Sequence, residues 1–162
     1  MNRRKLIGAI GIATTLHAAP TAREQFIGVW KLIRSEDKFK DGRIEYPYGH
    51  KPVGRLTYDQ AGRMSGTIMK SDRRSTMPPG VGLIAGKATA EEIHEAVNGF
   101  VAYFGTFDVD ETTKSVIHHV QASLVPSWVG KDLKRTYQFN GNRLVLTAVS
   151  TVVRELVWER EA

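Results

Sequence analysis

Two adjacent histidines, His118 and His119, precede Ser123, Pro126 and Trp128 in the stretch HHVQASLVPSWVG. Imidazole is the side chain best suited to exchange a proton near neutral pH. Tyr58, Tyr103 and Tyr137 add phenols able to hydrogen-bond a developing oxyanion, and Arg135 adds a forked donor that matches a carboxylate. Neighbouring residues of a strand point to opposite faces, so His118 and His119 cannot grip one ion or one substrate from a regular strand. His50 and His94 have no useful spacing, and the chain has no Cys, no H-x-H and no H-x-x-x-H pair. No metal site is therefore expected, and thiolate catalysis and disulfides are excluded. Neither a G-x-S-x-G elbow nor a phosphate loop nor a dinucleotide fingerprint occurs; Gly80 and Gly82 follow a Pro-Pro in a loop setting. No cofactor is expected.

The rest of the chain must position these groups. Its 162 residues, 41% hydrophobic and 25% charged, suit one ordinary globular domain with a sizeable core. No apolar run is long enough for a transmembrane helix. Met1 to Lys5 is basic, Leu6 to Thr15 is uncharged and mostly apolar, and small residues with Pro20 follow as far as Ala22. Residues 1–22 therefore read as an export signal, with Arg3-Arg4 similar to a twin-arginine type, and residues 23–162 as the domain. A periplasmic or secreted location follows, the alternative being a cytoplasmic protein with a loose N-terminus. Of the net charge of +6, Arg3, Arg4 and Lys5 supply three. No basic patch interleaved with aromatics remains, so no nucleic-acid partner is expected.

Short alternating runs separated by turn residues predict strands over Gly28 to Glu36, Arg43 to Tyr46, Gly54 to Asp59 and Met64 to Lys70. Further strands are predicted over Phe100 to Val109, Val116 to Ser123, Leu133 to Phe139, Arg143 to Val149 and Val152 to Arg160. Asn140-Gly141-Asn142 supplies a tight hairpin turn. One helix interrupts them: Thr89 and Glu92 have capping-box spacing, and Asn98-Gly99 supplies the stop. The long segment before it, containing Met77 to Gly82, has the length of a lid. About eight or nine short antiparallel strands bury their apolar faces by closing into an up-and-down barrel, an all-β fold with an interior cavity; a two-sheet sandwich competes.

Period-two patterning assigns the inner faces. Val116, His118, Val120 and Ala122 are expected inward, with His119 and Ser123 outward. Tyr103, Gly105, Phe107 and Val109, then Leu133, Arg135, Tyr137 and Phe139, then Leu56 and Tyr58 complete the interior. Tyr58, Tyr103, His118, Arg135 and Tyr137 thus meet in one mostly apolar space, with Trp128 on a rim loop as a gate or a packing anchor. Met64 and Met69 read as packing residues. An inward histidine flanked by tyrosines is more often part of a core hydrogen-bond network than a catalyst, and an inward Glu36 is the expected counter-ion if Arg135 is structurally paired.

The ordered set Gly28-Val29-Trp30-Lys31-Leu32, Phe100 to Thr106, His118-His119-Val120, Pro126 to Gly130 and Leu156 to Arg160 resembles the bacterial and fungal lipocalin-like domain family. The similarity spans residues 26–160 and includes the G-x-W signature. It implies a small calyx-like barrel, with Trp30 at its floor stacked under Arg160. Activity in such folds ranges from carriage of apolar molecules to isomerase, cyclase and decarboxylase chemistry, so the fold alone does not choose. The expected partner is a small apolar or amphiphilic molecule with an aromatic or isoprenoid body and a polar head, bound by a monomer or dimer. The alternatives are a cofactor-independent isomerase or cyclase using His118, supported by Tyr103, as acid/base, and an interaction module that binds another protein.

Overall fold

The computed structural model describes residues 19–74 and 88–162. The basic and apolar segment on which the export reading rests, and the lid-like stretch from Met77 to Gly82, lie outside them. Nine strands run in chain order: β1 (Gly28–Lys38), β2 (Ile44–Glu45), β3 (Val53–Tyr58), β4 (Arg63–Met69), β5 (Phe100–Asp110), β6 (Ser115–Ser123), β7 (Asp132–Asn140), β8 (Arg143–Val149) and β9 (Val153–Arg160). A short helix α1 (Ala22–Phe26) precedes them, α2 (Ala90–Val97) lies between β4 and β5, and a 3-10 turn spans Pro126–Trp128. The expected helix is thus present, with Thr89 and Glu92 forming the full capping box.

Every neighbouring pair in the order β1-β3-β4-β5-β6-β7-β8-β9 is hydrogen-bonded, and β9 returns to pair with β1. The result is a closed eight-stranded antiparallel barrel, with the short β2 added to the end of β1. Closure leaves no free edge in the ring and makes an inside that alternate residues of every strand must fill. Trp30, Leu32, Leu56, Tyr58, Met64, Phe107, Val116, Leu144, Leu146 and Trp158 form that filling. Met64 packs there as expected, whereas Met69 lies on the outer surface beside Phe100 and Val53.

Two bulges correct the strict alternation. On β1 the register shifts between Leu32 and Arg34, leaving Ile33 as an extra, exposed residue. Beyond it, Ser35 opposes Leu156 and Asp37 opposes Arg154, so Ser35 and Asp37 point inward and Glu36 does not. Glu36 instead pairs with Arg34 at 3.4 Å and Lys38 at 4.0 Å. On β6 the register shifts so that Gly105 opposes Val120 while Phe104 opposes Ala122. Phe104 is 52% exposed; Ala122 therefore shares the outer face, and Ser123, opposite Tyr103, takes the inner one. A bulge inserts one residue and exchanges the faces beyond it, which period-two reasoning cannot anticipate.

The floor of the barrel follows the expectation and adds to it. The Arg160 guanidinium sits 4.2 Å from the centre of the Trp30 ring and donates to the backbone oxygens of Ile27 and Gln25. The new element is α1. Thr21 and Glu24 form a capping box, and Phe26, fully buried, plugs the barrel among Tyr58, Tyr137 and Phe139 at ring distances of 5.0–5.1 Å. Ala22, assigned from sequence to the last residue of the leader, is buried in this plug.

Gly105 marks the tightest backbone approach. A β-carbon there would stand 1.9 Å from the His119 carbonyl oxygen, at the β5–β6 bulge. No side chain can move to relieve a clash with backbone. Gly105→Ala should therefore destabilise the barrel by about 3 kcal/mol, read as a lowered urea midpoint with unchanged ligand-free secondary structure by circular dichroism.

Candidate functional site

The barrel has two chemically different ends. At the floor, the Phe26 ring packs against Tyr58, Tyr137 and Phe139 beside Trp30. At the other end, where β5 and β9 begin and β6 ends, the wall lines an interior cavity of about 40 Å³. Its apolar lining comes from Leu56, Ile68, Val101, Leu146, Leu156 and Trp158, and its polar groups from Tyr48, Tyr103, Arg135 and Arg154, with Trp128 at the rim. Trp128 stands edge-on to Tyr103 with ring centres 5.7 Å apart.

The two guanidiniums are held differently. Arg154 makes paired 2.6 Å hydrogen bonds to both carboxylate oxygens of Asp37, the planar fork arrangement that gives such pairs their strength. Arg135, half-buried, donates to the Leu133 carbonyl at 3.0 Å and lies 5.9 Å from the centre of the Tyr103 ring. Among the described residues no carboxylate lies within ion-pair distance of it. The counter-ion expected at Glu36 is absent because the β1 bulge turns Glu36 away and presents Asp37, which Arg154 takes.

His118 is fully buried between two phenols. Its Nε2 is 2.7 Å from the Tyr58 hydroxyl, and its Nδ1 is 2.9 Å from the Tyr103 hydroxyl and 3.4 Å from Arg135 Nη1. Arginine only donates, so Nδ1 is the unprotonated nitrogen and Nε2–H donates to Tyr58. Tyr103 then donates its own hydrogen to Nδ1, and its remaining lone pairs are acceptors. Burial, with smaller contributions from Arg135 and His119, holds the His118 pKa well below 6.5. The imidazole is therefore neutral at physiological pH. Desolvation pushes the pKa of Tyr103 up, opposed by Arg135, and that of Tyr58 well up, so both remain protonated.

The six residues picked from sequence thus divide. Tyr103, Arg135 and Trp128 line the cavity. Tyr58 and His118 stand behind Tyr103 in the wall and join the cavity only through it. Tyr137 belongs to the floor, packed on Phe26, with its buried hydroxyl unpartnered. His119 faces outward, as expected, bridging β5 and β7: Nδ1 meets Asp132 at 2.6 Å and Nε2 meets Asp108 at 3.0 Å.

Tyr48, Arg154, Asp37 and Trp158 were missed. Arg154, Leu156 and Trp158 repeat at period two on β9, a signal legible in the sequence. Tyr48 reaches the cavity from the β2–β3 loop, where no periodicity exists to read. Asp37 faces inward only because of the bulge. The α1 plug carried a readable Thr21-x-x-Glu24 cap, the same pattern that located α2.

A family model described as a lipocalin-like domain matches residues 27–160. A 4'-hydroxy-3'-methoxypropiophenone carrier protein of Aspergillus oryzae is 34% identical over 71 residues, which are 40% of this chain and 64% of the relative. The match spans just under two thirds of that relative's length.

The two adjacent histidines should imprint opposite pH dependences on stability. The lowered folded pKa of His118 makes its contribution complete above the unfolded value of 6.5 and lost as pH falls below it. The pKa of His119 is raised, chiefly by its hydrogen bond to Asp132, so its contribution is complete below 6.5 and lost as pH rises through the raised value. In thermal melts between pH 5 and 8.5, His118→Phe should lose the acid-side slope. At pH 7.5 that variant should be about 2 kcal/mol less stable, because the Tyr58 hydroxyl is left buried and unpaired. His119→Gln should lose only the alkaline-side slope.

Proposed function

The chain belongs to the lipocalin-like domain family, and on that premise we propose that its barrel is a non-covalent carrier of a small, mostly apolar molecule with a polar head. The observation that carries this reading is the half-buried Arg135 guanidinium, with no carboxylate partner among the described residues, in a cavity wall otherwise dominated by apolar side chains. A guanidinium held in partly apolar surroundings gains most from an acceptor that completes its hydrogen bonds. Tyr103, its hydrogen committed to His118, supplies an acceptor beside that donor. Such a pair fits a head group that both donates and accepts, a phenol or an enol, or a carboxylate on Arg135 alone. The carrier named for a hydroxylated, methoxylated aryl ketone supports an aromatic body over an isoprenoid one.

A cavity of about 40 Å³ holds one or two waters, whereas small-molecule pockets run to roughly 300 Å³ or more. Loading therefore requires the rim to open. Trp128, on its single 3-10 turn, and Tyr48, on a loop, are the lining residues that can swing out without breaking a strand ladder.

The alternative is a cofactor-independent isomerase or cyclase, favoured by the unbroken hydrogen-bond chain Tyr58–His118–Tyr103–cavity. In that reading Tyr103 is the group that touches substrate, and neutral His118 relays the proton behind it. The two readings separate on Tyr103→Phe. A carrier loses at most several-fold in affinity and returns its ligand unchanged, as followed by NMR; an enzyme keeps most of its affinity and loses turnover.

Binding is measured directly by quenching of tryptophan fluorescence, because Trp128 and Trp158 line the cavity. Arg135→Gln should weaken 4-hydroxyphenyl ligands about tenfold and leave the corresponding unsubstituted arenes unaffected. Trp128→Ala should speed association of both, seen in stopped flow. Equal affinity of wild type and Arg135→Gln for the phenols would remove Arg135 from the site.

A further inference from the structure

The barrel treats its tryptophan indoles unequally. Trp30, fully buried, donates its Nε1–H to the Phe26 carbonyl at 2.8 Å. Trp128 sits half-buried at the rim. Trp158 is 2% exposed, and its Nε1 has no hydrogen-bond partner among the described residues. An indole N–H can only donate, and folded proteins rarely leave such a donor unpaired. Trp158 also belongs to the cavity wall, which Trp30 does not.

A second unpaired polar atom lies close by in the register. Ser35 Oγ is fully buried without a partner. Ser35 opposes Leu156 on β9, next to the Leu32–Trp158 pair, so both groups belong to the inner face of the β1–β9 seam. The β1 bulge is what turns Ser35 inward. In the ring of eight strands, β9 lies four places from β5. Trp158 and Tyr103 therefore occupy opposite walls of one cavity, and a ligand headed on Tyr103 and Arg135 extends toward Trp158.

We propose that the Trp158 indole N–H is the donor that orients the cargo, and that the cargo carries a neutral acceptor oxygen, a ketone, at the end opposite its head group. Ser35 Oγ, buried on the same seam, lies outside the lining of the cavity. The inference rests on the carrier reading above and adds the chemical class of what is carried. An internal water on Trp158 is the competing occupant, and the measurement below separates the two.

4-Hydroxypropiophenone and 4-propylphenol share ring, chain length and phenol and differ in the carbonyl. Their dissociation constants are measured by calorimetry on wild type and on Trp158→Phe. A variant carrying benzothienylalanine at position 158 keeps the bicyclic shape and replaces only the N–H, should the phenylalanine variant fail to fold. The wild type should prefer the ketone, and both variants should reduce the ratio of the two dissociation constants about tenfold, apart from any change common to both ligands. An unchanged preference in the variants overturns the inference and leaves the carrier reading standing, the indole then being served by water. Failure of the wild type to bind either compound overturns the carrier reading for hydroxylated arenes and the inference with it.

Discussion

The pairing of β1 with both β3 and β9 is the constraint on which the rest depends. One strand of eleven residues seals the ring, and sealing converts half of every strand into interior. Strand edges disappear, backbone groups are satisfied by their neighbours, and the inward side chains have only each other. The single extra residue Ile33 then sets which polar groups share that interior. Without it Glu36 would face in; with it Ser35 and Asp37 do. Asp37 neutralises Arg154, and Arg135 is left without a carboxylate.

Packing separates the barrel into a structural end and a chemical end. The floor is stacked aromatics, Phe26 against Tyr58, Tyr137 and Phe139, with the Arg160 guanidinium over Trp30. A cation over an indole face and anchored to two carbonyls holds the N-terminal and C-terminal ends of the barrel together. The other end has fewer rings and more charge. Rigidity below and replaceable side chains above are what a container needs, because the rim can yield without loosening the seal.

His118 links the two ends. Its neutrality is imposed by burial, and the direction of its hydrogen bonds is imposed by Arg135. By fixing the tautomer, Arg135 also fixes the proton of Tyr103 toward Nδ1, which in turn determines what Tyr103 can offer a ligand. A buried polar network with one allowed arrangement specifies one geometry. The same imidazole, charged, would force the Tyr103 hydroxyl to turn and accept from Nδ1, and would repel Arg135.

Period-two alternation, turn chemistry and capping patterns are local, so the sequence by itself determined the strands, α2, the barrel and the inward positions of His118, Tyr103 and Arg135. It also carried the α1 cap at Thr21 and the inner stripe of β9, both readable by rules that had located other elements. Tertiary structure alone decided the two bulges, because an inserted residue is stabilised by the register of its partner strand and leaves no mark in local composition. From those bulges follow the inward Ser35 and Asp37, the outward Glu36 and Ala122, and the isolation of Arg135. It also decided that His118 and Tyr58 stand behind the cavity wall while Tyr48 and Trp158 form it, since depth along a barrel depends on how eight strands stagger around the ring and not on any one of them.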